Sequence, residues 1–214
     1  MTTMIKSMVD FMKTTIISAK DKNAAKIAAQ FIKKGSVIIY PTETSYGIGA
    51  DIDNKKALEK IYAIKQRPIE KQLIYLVSTI AMAKKYAIIT KDHEKLIKKF
   101  MHRPLTLVAK RKKSNKISAD KEFAFRISSN KLANSIVKTL GRPIASTSAN
   151  FTGDPPLYKI RDVFKHFHDS VRLIIDAGDL PVTQPSTVVD FFNDINIRRE
   201  GPITKKQITD ALHK

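Results

Sequence analysis

Apolar residues recur at helical spacing in seven stretches of the chain, and short apolar runs lie between most of them. The helical spacing predicts helices over residues 22–33, 55–65, 80–86, 91–101, 130–140, 159–168 and 204–213. The apolar runs predict strands over residues 14–18, 37–40, 73–77, 105–109, 123–127, 143–145, 172–176, 187–191 and 195–199. Because helices and strands alternate along the chain, the pattern indicates an α/β fold with a partly parallel sheet.

Three segments rich in small and polar residues adjoin these strands and are predicted to be loops, at residues 41–50, 146–156 and 178–186. Loops next to strands are where α/β proteins usually place their sites. No long linker divides the sequence, so we expect residues 14–214 to form one domain. Residues 1–13 lack the features of a signal or transit peptide and are predicted to be an N-terminal extension.

The charge is strongly positive, with 39 Lys and Arg against 20 Asp and Glu and a formal net charge of +19. Such a surface attracts polyanions, including nucleotides, RNA and anionic lipid. However, 30 of the 39 cations are lysines spread along the chain, and a merely solubilising surface explains them equally well. The chain has no cysteine, which excludes disulfides and thiolate chemistry and is compatible with a cytoplasmic location. No apolar run reaches the roughly 18–20 residues of a membrane span.

Common cofactor and metal motifs are absent from the sequence. No G-x-x-x-x-G-K-[ST] phosphate loop is present, and Gly47-Ile48-Gly49 lacks the third glycine of the dinucleotide fingerprint. Of the five histidines, only His166 and His168 are close in sequence, and their spacing on a helix points them apart. We therefore expect no metal site built from protein side chains.

Four segments carry groups suited to binding anions and hydroxyls: Pro41–Thr44, Lys65–Pro68, Ser146–Asn150, and Pro185–Asp190 together with Arg198–Gly201. Each has a structural explanation when taken alone. Thr and Pro are common in turns, and cations stabilise a helix C-terminus. Arginine can hold a polyphosphate as a fork, and successive hydroxyls and amides can form an anion nest. The presence of all four segments in this order indicates a function more specifically than any one segment alone.

Seven segments in this order resemble the YrdC-like threonylcarbamoyl-AMP synthases. They are YPTETSYGIG (40–49), KQRPIEKQLI (65–74), PLTLV (104–108), FAFRIS (123–128), GRPIASTSANFTGDPP (141–156), STVVD (186–190) and IRREG (197–201). The resemblance covers about residues 20–212, and the length is similar to that of the short form of the family.

The resemblance implies a single-domain, twisted mixed α/β sheet with helices around a concave basic cavity. It implies that L-threonine, bicarbonate and ATP, with Mg²⁺, are condensed to L-threonylcarbamoyladenylate with release of pyrophosphate. Partner proteins of a threonylcarbamoyl-transfer complex would then modify adenosine 37 of tRNA. It also implies residue roles. ATP would be bound by Lys65, Arg67, Ser146, Ser148, Asn150 and Arg199, and L-threonine by Thr42, Arg126 and Ser186.

No residue is assigned as a general acid or base, since positioning and charge stabilisation suffice for this reaction. Glu43 is expected only to brace its loop. The sequence departs from the family at Met101–Pro104, where Trp-Pro-Gly-Pro is usual, and at Ser128 and Glu200, where proline is usual. These departures leave an inactive paralogue as an alternative. A second alternative is a non-catalytic protein that binds tRNA or other RNA through its basic surface, including the basic stretch 110–116 of the polar loop at residues 110–122.

Overall fold

One mixed sheet contains all ten strands of the described chain, which comprises residues 13–100, 103–112 and 121–213 of this computed structural model. The strands are β1 (Thr15–Ser18), β2 (Ile38–Pro41), β3 (Tyr46–Asp51), β4 (Ile74–Leu76), β5 (Leu105–Lys110), β6 (Glu122–Arg126), β7 (Ile144–Ser148), β8 (Leu173–Asp176), β9 (Thr187–Asp190) and β10 (Asn196–Arg199). The helices are α1 (Ala24–Lys33), α2 (Lys55–Lys65), α3 (Ile80–Tyr86), α4 (Lys91–Phe100), α5 (Lys131–Leu140), α6 (Ile160–Phe167) and α7 (Lys205–Leu212).

The strand order is β1-β8-β2-β3-β7-β4-β6-β5-β9-β10. Four neighbouring pairs are parallel, namely β1–β8, β2–β8, β4–β6 and β5–β9. The other five pairs are antiparallel. This arrangement confirms the predicted α/β class with a mixed sheet.

Helices cover both faces of the sheet, as the alternating orientation of the side chains along β2 shows. Ile39 packs into one hydrophobic cluster, with side chains from α2, α3, α4, α6 and α7. Ile38 and Tyr40 point the other way, into a second cluster with α1 and α5. Since successive side chains of a strand face opposite sides, a strand buried on both faces reads as a continuous apolar run. That is the pattern of residues 37–40.

The helix boundaries follow from local capping chemistry. The Asn54 and Asn130 side chains accept from the backbone N–H of Ala57 and Ala133 and begin α2 and α5. Helix α7 begins with a capping box between Thr204 and Gln207, which confirms Thr204 as the predicted N-cap.

The predicted loop over residues 41–50 is wrong for its second half, which forms the fully buried strand β3. Two alternating glycines gave this segment the appearance of a loop. A Cβ at Gly49 would lie 2.8 Å from Ile144 Cγ2 and 3.0 Å from the Tyr40 ring. The glycine therefore permits close approach of neighbouring strands, a common reason for glycine inside a strand. Strand β7 likewise extends to Ser148, although residues 146–156 are predicted to be a loop.

Three sequence features lie wholly or partly outside the described residues: the N-terminal extension except Lys13, Met101 and His102 of the altered turn, and residues 113–120 of the basic loop. Within the described chain, no helix combines the length and apolar character needed to cross a membrane.

Candidate active site

A cleft of about 270 Å³ opens where β2 and β7 end and β3 begins. The antiparallel register pairs Pro41 with Tyr46 and Gly47 with Ser148, which brings the turn after β2 against the end of β7. Seven of the nine predicted binding residues line the cleft: Thr42, Arg126, Ser146, Ser148, Asn150, Ser186 and Arg199. The remaining two, Lys65 and Arg67, lie outside the lining.

The Thr42 hydroxyl organises the turn between β2 and β3. Its Oγ1 donates to the Ser45 backbone oxygen at 2.7 Å and accepts from the Thr44 and Ser45 backbone N–H groups at 3.1 and 3.2 Å. This local bonding pattern is typical of threonine in turns. It also holds Thr44 Oγ1 3.0 Å from Thr42 Oγ1, so two hydroxyls lie side by side at the cleft wall.

Ser146 is fixed from behind by Tyr40, whose hydroxyl lies 2.6 Å from Ser146 Oγ. Tyr40 is fully buried, and this burial is the main cause that raises its pKa to about 12. The phenol therefore keeps its proton at neutral pH. A buried donor with one partner gives Ser146 a defined orientation at the cleft.

Arg199 and Ser186 meet on the opposite wall. Arg199 Nε donates to the Ser186 backbone oxygen at 2.9 Å, and Nη2 donates to Ser186 Oγ at 2.8 Å. Ser186 Oγ is also 2.8 Å from the hydroxyl of the fully buried Thr106. A Cβ at Gly201 would lie 2.5 Å from both Pro185 O and Thr187 N, so only glycine lets the chain after Arg199 pass so close to Ser186.

Two guanidinium groups give the cleft its positive charge. Arg126 Nη1 is paired with Glu43 Oε1 at 3.1 Å, whereas no ion pair in the described chain involves Arg199. Although Arg199 as a residue is exposed, protein atoms around its guanidinium remove hydration and lower its pKa, and the nearby charge of Arg126 lowers it further. An anion in the cleft would relieve this repulsion.

Lys65 supports the Ser148–Asn150 loop from inside the protein. It is 1% exposed, and its ammonium donates to the Ser148 and Asn150 backbone oxygens at 2.5 and 2.6 Å and to Asn150 Oδ1 at 3.1 Å. All three N–H donors are thus used by protein oxygens. Burial, followed by the charge of Arg67, lowers the pKa of Lys65 to about 8.

Arg67 closes the turn that follows α2. Its Nε donates to the Lys71 backbone oxygen and its Nη2 to the Gln72 backbone oxygen, both at 2.9 Å. The turn starts at Gln66, which has a positive φ of 49°. These two hydrogen bonds use two of the five N–H donors of Arg67. The assignment of Lys65 and Arg67 to ATP phosphates stays a prediction.

Sequence reasoning missed several lining residues, chiefly Thr44, Tyr158 and Thr183. Thr183 lies in the polar loop at residues 178–186, and its Oγ1 donates to the Thr44 backbone oxygen at 2.8 Å. The Tyr158 hydroxyl donates to the Thr183 backbone oxygen at 3.0 Å. The sequence predicts the loop at residues 178–186 as a place for a site. However, no local sequence pattern indicates which of its residues contacts the turn after β2.

The departures from the family pattern that the structure describes are not lining residues of the cleft. Glu200 is exposed and is not a lining residue, so it does not point into the cleft. Ser128 is buried and donates a hydrogen bond to Glu43. The part of the turn that is described places Arg103 in a hydrogen bond to the Pro202 backbone oxygen. Among the described residues, no three His, Asp or Glu side chains cluster as metal ligands do.

Comparison with known proteins agrees with this geometry. The Sua5/YciO/YrdC family model, which carries the description "Telomere recombination", matches residues 30–201. A threonylcarbamoyl-AMP synthase of Bacillus subtilis is 33% identical over 205 residues, covering 93% of this chain and 59% of the relative. One from Photobacterium profundum is 33% identical over 174 residues, covering 78% of this chain and 94% of the relative.

The fold also matches a solved structure of the family. The crystal structure of P. abyssi Sua5 complexed with L-threonine superposes with a TM-score of 0.86 at 29% identity. It is matched over 93% of this chain and 61% of its own length. The chain thus spans about three fifths of the longer relatives and nearly all of a shorter one. A match over residues 30–201 and relatives at this identity establish that the chain belongs to the Sua5/YciO/YrdC family.

Proposed function

We propose that this protein is an L-threonylcarbamoyladenylate synthase that condenses L-threonine, bicarbonate and ATP and releases pyrophosphate. The observation that carries the proposal is the cleft itself, which gathers hydroxyls, an amide and two guanidinium groups from five separate segments. The names of the relatives, threonylcarbamoyl-AMP synthases, and the L-threonine complex of P. abyssi Sua5 support the same activity.

Charge complementarity favours these substrates. L-threonine carries a carboxylate, and bicarbonate and ATP are anions, so bringing them together costs electrostatic energy in a partly desolvated cleft. Arg126 and Arg199 offset that cost, and Arg199 has no carboxylate partner of its own in the described chain. A neutral or cationic substrate would leave the repulsion between the two guanidinium groups unrelieved.

The proposed division of roles places L-threonine against Thr42, Arg126 and Ser186, with the Arg126 guanidinium facing the substrate carboxylate. ATP is assigned to the adjoining part of the cleft, because its proposed ligand Arg199 contacts Ser186 directly. Its proposed ligands are Ser146, Ser148, Asn150 and Arg199, with Arg67 from the turn after α2. Lys65, the last residue of α2, is proposed to contribute to ATP binding through the Ser148 and Asn150 backbone that it holds. Mg²⁺ enters as part of the ATP substrate, and among the lining residues Asp154 offers a carboxylate on the nucleotide side.

The chemistry proceeds in two steps. The threonine amine attacks the carbon of bicarbonate, and loss of water gives the carbamate. A carbamate oxygen then attacks the α-phosphorus of ATP, the bond to the β-phosphate oxygen breaks, and pyrophosphate leaves with that electron pair. The protein residues act by positioning the reactants and by neutralising charge, and no covalent protein intermediate is needed.

We further propose that the product is used in the cytoplasm by a threonylcarbamoyl-transfer complex acting on adenosine 37 of tRNA. The net charge of +19 is compatible with direct contact to tRNA or other RNA. If such contact is electrostatic, its affinity falls steeply with salt. RNA binding without synthesis is the competing function, and the substrate dependence of pyrophosphate release separates the two.

The deciding experiment measures pyrophosphate release from MgATP by the purified protein, with L-threonine and bicarbonate supplied together or singly. Release that requires both, together with incorporation of labelled bicarbonate into an adenylate, is expected. Absence of release from a folded sample, or release that ignores L-threonine, would overturn the proposal. A Glu59→Gln variant, altered at an exposed residue of α2 outside the cleft, serves as a control with unchanged activity.

A further inference from the structure

Glu43 is held between two residues on or just after β6. Its Oε1 lies 3.1 Å from Arg126 Nη1, and its Oε2 accepts a short hydrogen bond from Ser128 Oγ. The Arg126 and Glu43 side chains are 9% and 14% exposed, and Ser128 is buried. Glu43 is not a lining residue of the cleft, whereas Arg126 is. Both carboxylate oxygens are therefore engaged in protein contacts, and the contact of the carboxylate with a cleft residue is the one to Arg126.

Ser128 is itself anchored to α5. Its Oγ accepts from the Asn130 backbone N–H at 3.2 Å while donating to Glu43. Its backbone oxygen accepts from Asn134 Nδ2 at 3.4 Å. Because Asn130 is the N-cap of α5, the chain of contacts runs from a helix terminus through Ser128 and Glu43 to the guanidinium. A rigid element thus supports a long and otherwise flexible side chain.

Among the described residues, the other hydrogen bonds of the Arg126 guanidinium are weaker. Nη1 and Nη2 each lie 3.5 Å from Thr44 Oγ1, at the limit of hydrogen-bond distance. Without Glu43, these contacts alone would have to select one rotamer of Arg126, and arginine has many rotamers of similar energy. A guanidinium binds a carboxylate best when both N–H groups of its fork are already oriented.

We infer that Glu43 and Ser128 are positioning residues that orient Arg126 for the carboxylate of the amino-acid substrate. The identity of that substrate rests on the proposed function, but the orientation of Arg126 does not. Two physical effects of Glu43 oppose each other. Its negative charge weakens the attraction of Arg126 and Arg199 for an anion, whereas its contact orients the fork. Charge alone therefore predicts tighter substrate binding when Glu43 is removed, and positioning predicts weaker binding.

The first experiment measures L-threonine binding and KM in Glu43→Ala, Glu43→Gln and Ser128→Ala. Loss of a hydrogen bond to a charged group corresponds to about a tenfold weaker interaction. The Glu43→Ala variant should therefore raise KM for L-threonine about tenfold, with kcat and the KM for ATP little changed. Glu43→Gln keeps the shape of the side chain, and Ser128→Ala keeps the Glu43 charge. Both variants should also raise KM for L-threonine, but by a smaller factor. The control is Glu59→Gln, which removes an exposed glutamate charge on α2.

An unchanged or lowered KM for L-threonine in both Glu43→Ala and Ser128→Ala would overturn the inference. A merely structural role would lower thermal stability and the fraction of active protein but leave KM for both substrates unchanged. Glu43→Ala leaves Arg126 without its partner, so this variant can fail to fold. In that case the KM for L-threonine of Ser128→Ala decides the inference.

The second experiment needs no substrate and separates this inference from the proposed function. Phenylglyoxal modifies arginine more slowly when a carboxylate holds the guanidinium, and peptide mass spectrometry reports the rate at each arginine. Removal of Glu43 should increase the modification rate of Arg126 about fivefold or more, while the rate at Arg199 changes little. If wild-type protein shows no L-threonine-dependent reaction, the proposed function fails and the Arg126 rate still decides the inference. An unchanged Arg126 rate in Glu43→Ala overturns it.

Discussion

The Lys65 ammonium donates to the Asn150 backbone oxygen at 2.6 Å, across 85 positions of sequence. This contact joins the end of α2 to the polar segment that follows β7, which contributes Ser148 and Asn150 to the cleft. A buried lysine with no carboxylate partner is costly, since its charge is taken out of water. Its retention is explained by its effect on the loop, whose backbone carbonyls converge on the ammonium.

Replacement of Lys65 by Met should separate this local role from overall stability. Met has similar length and no charge, so the variant should unfold at a similar or higher temperature at pH 7, because the cost of burying the charge disappears. The Ser148–Asn150 loop loses its donors, and ATP affinity should fall about tenfold or more. Isothermal titration with MgATP and thermal unfolding measure the two effects.

The matched control is Lys56→Met, which removes an exposed lysine from the same helix. It should leave both ATP affinity and stability unchanged within about 0.5 kcal/mol. Equal losses of ATP affinity in the two variants would show that Lys65 contributes only to the general positive charge. If Lys65→Met unfolds readily instead, the ammonium is an essential part of the fold rather than a support for one loop.

The lowered pKa of Lys65 predicts a specific dependence of stability on pH. The folded protein releases this proton near pH 8, whereas the unfolded chain keeps it to about 10.4. Between these values the unfolded state binds more protons, so the contribution of Lys65 to the free energy of unfolding rises with pH. Wild-type protein should therefore gain stability relative to Lys65→Met from about pH 8 to pH 10. Denaturant titrations of both proteins across this range measure the difference, and a constant difference would show that the pKa is not lowered.

The Tyr40 hydroxyl and Ser146 should prove to be energetically coupled. Tyr40→Phe removes a buried hydroxyl and leaves the Ser146 hydroxyl without its partner, which should cost about 1 kcal/mol of unfolding free energy. Ser146→Ala should cost a similar amount because the phenol is then unpaired in the core. The double variant should cost less than the sum, with a coupling of about 1 kcal/mol in a double-mutant cycle by denaturant unfolding. Strict additivity would mean that the 2.6 Å contact has no energetic value.

Most of the fold was predictable from the sequence because its signals are local. Each predicted helix is present with bounds shifted by only a few residues, since apolar spacing and caps such as Thr204 act within one or two turns. Strand β3 was missed because its two glycines suppress the apolar alternation that identifies a strand. Glycine is needed at position 49 because Tyr40 and Ile144 lie close to it. Such contacts depend on the register between strands.

The candidate site was predictable as a set of segments but not as a set of orientations. The resemblance identified seven residues that line the cleft, and their individual roles stay predictions. It did not show that the Lys65 ammonium faces the inside of the loop, because that depends on where the chain after β7 passes relative to α2. The same limit applies to Thr183, which reaches the cleft only through a contact with Thr44, 139 positions away.

Gly201 should be needed for the cleft although it binds nothing itself. A Cβ there would lie 2.5 Å from Pro185 O and Thr187 N, so Gly201→Ala must shift the backbone on one side of Ser186. Overpacking of this kind costs about 1–3 kcal/mol. The shift should also break the two hydrogen bonds from Arg199 to Ser186 and raise KM for both ATP and L-threonine. The control is Gly141→Ala, at a positive φ of 80° with nothing within 4 Å of its Cβ. It should lower stability by about 1 kcal/mol through backbone strain alone and leave both KM values unchanged. If Gly201→Ala lowered stability but left both KM values at their wild-type level, the Arg199–Ser186 contact would not depend on this close approach.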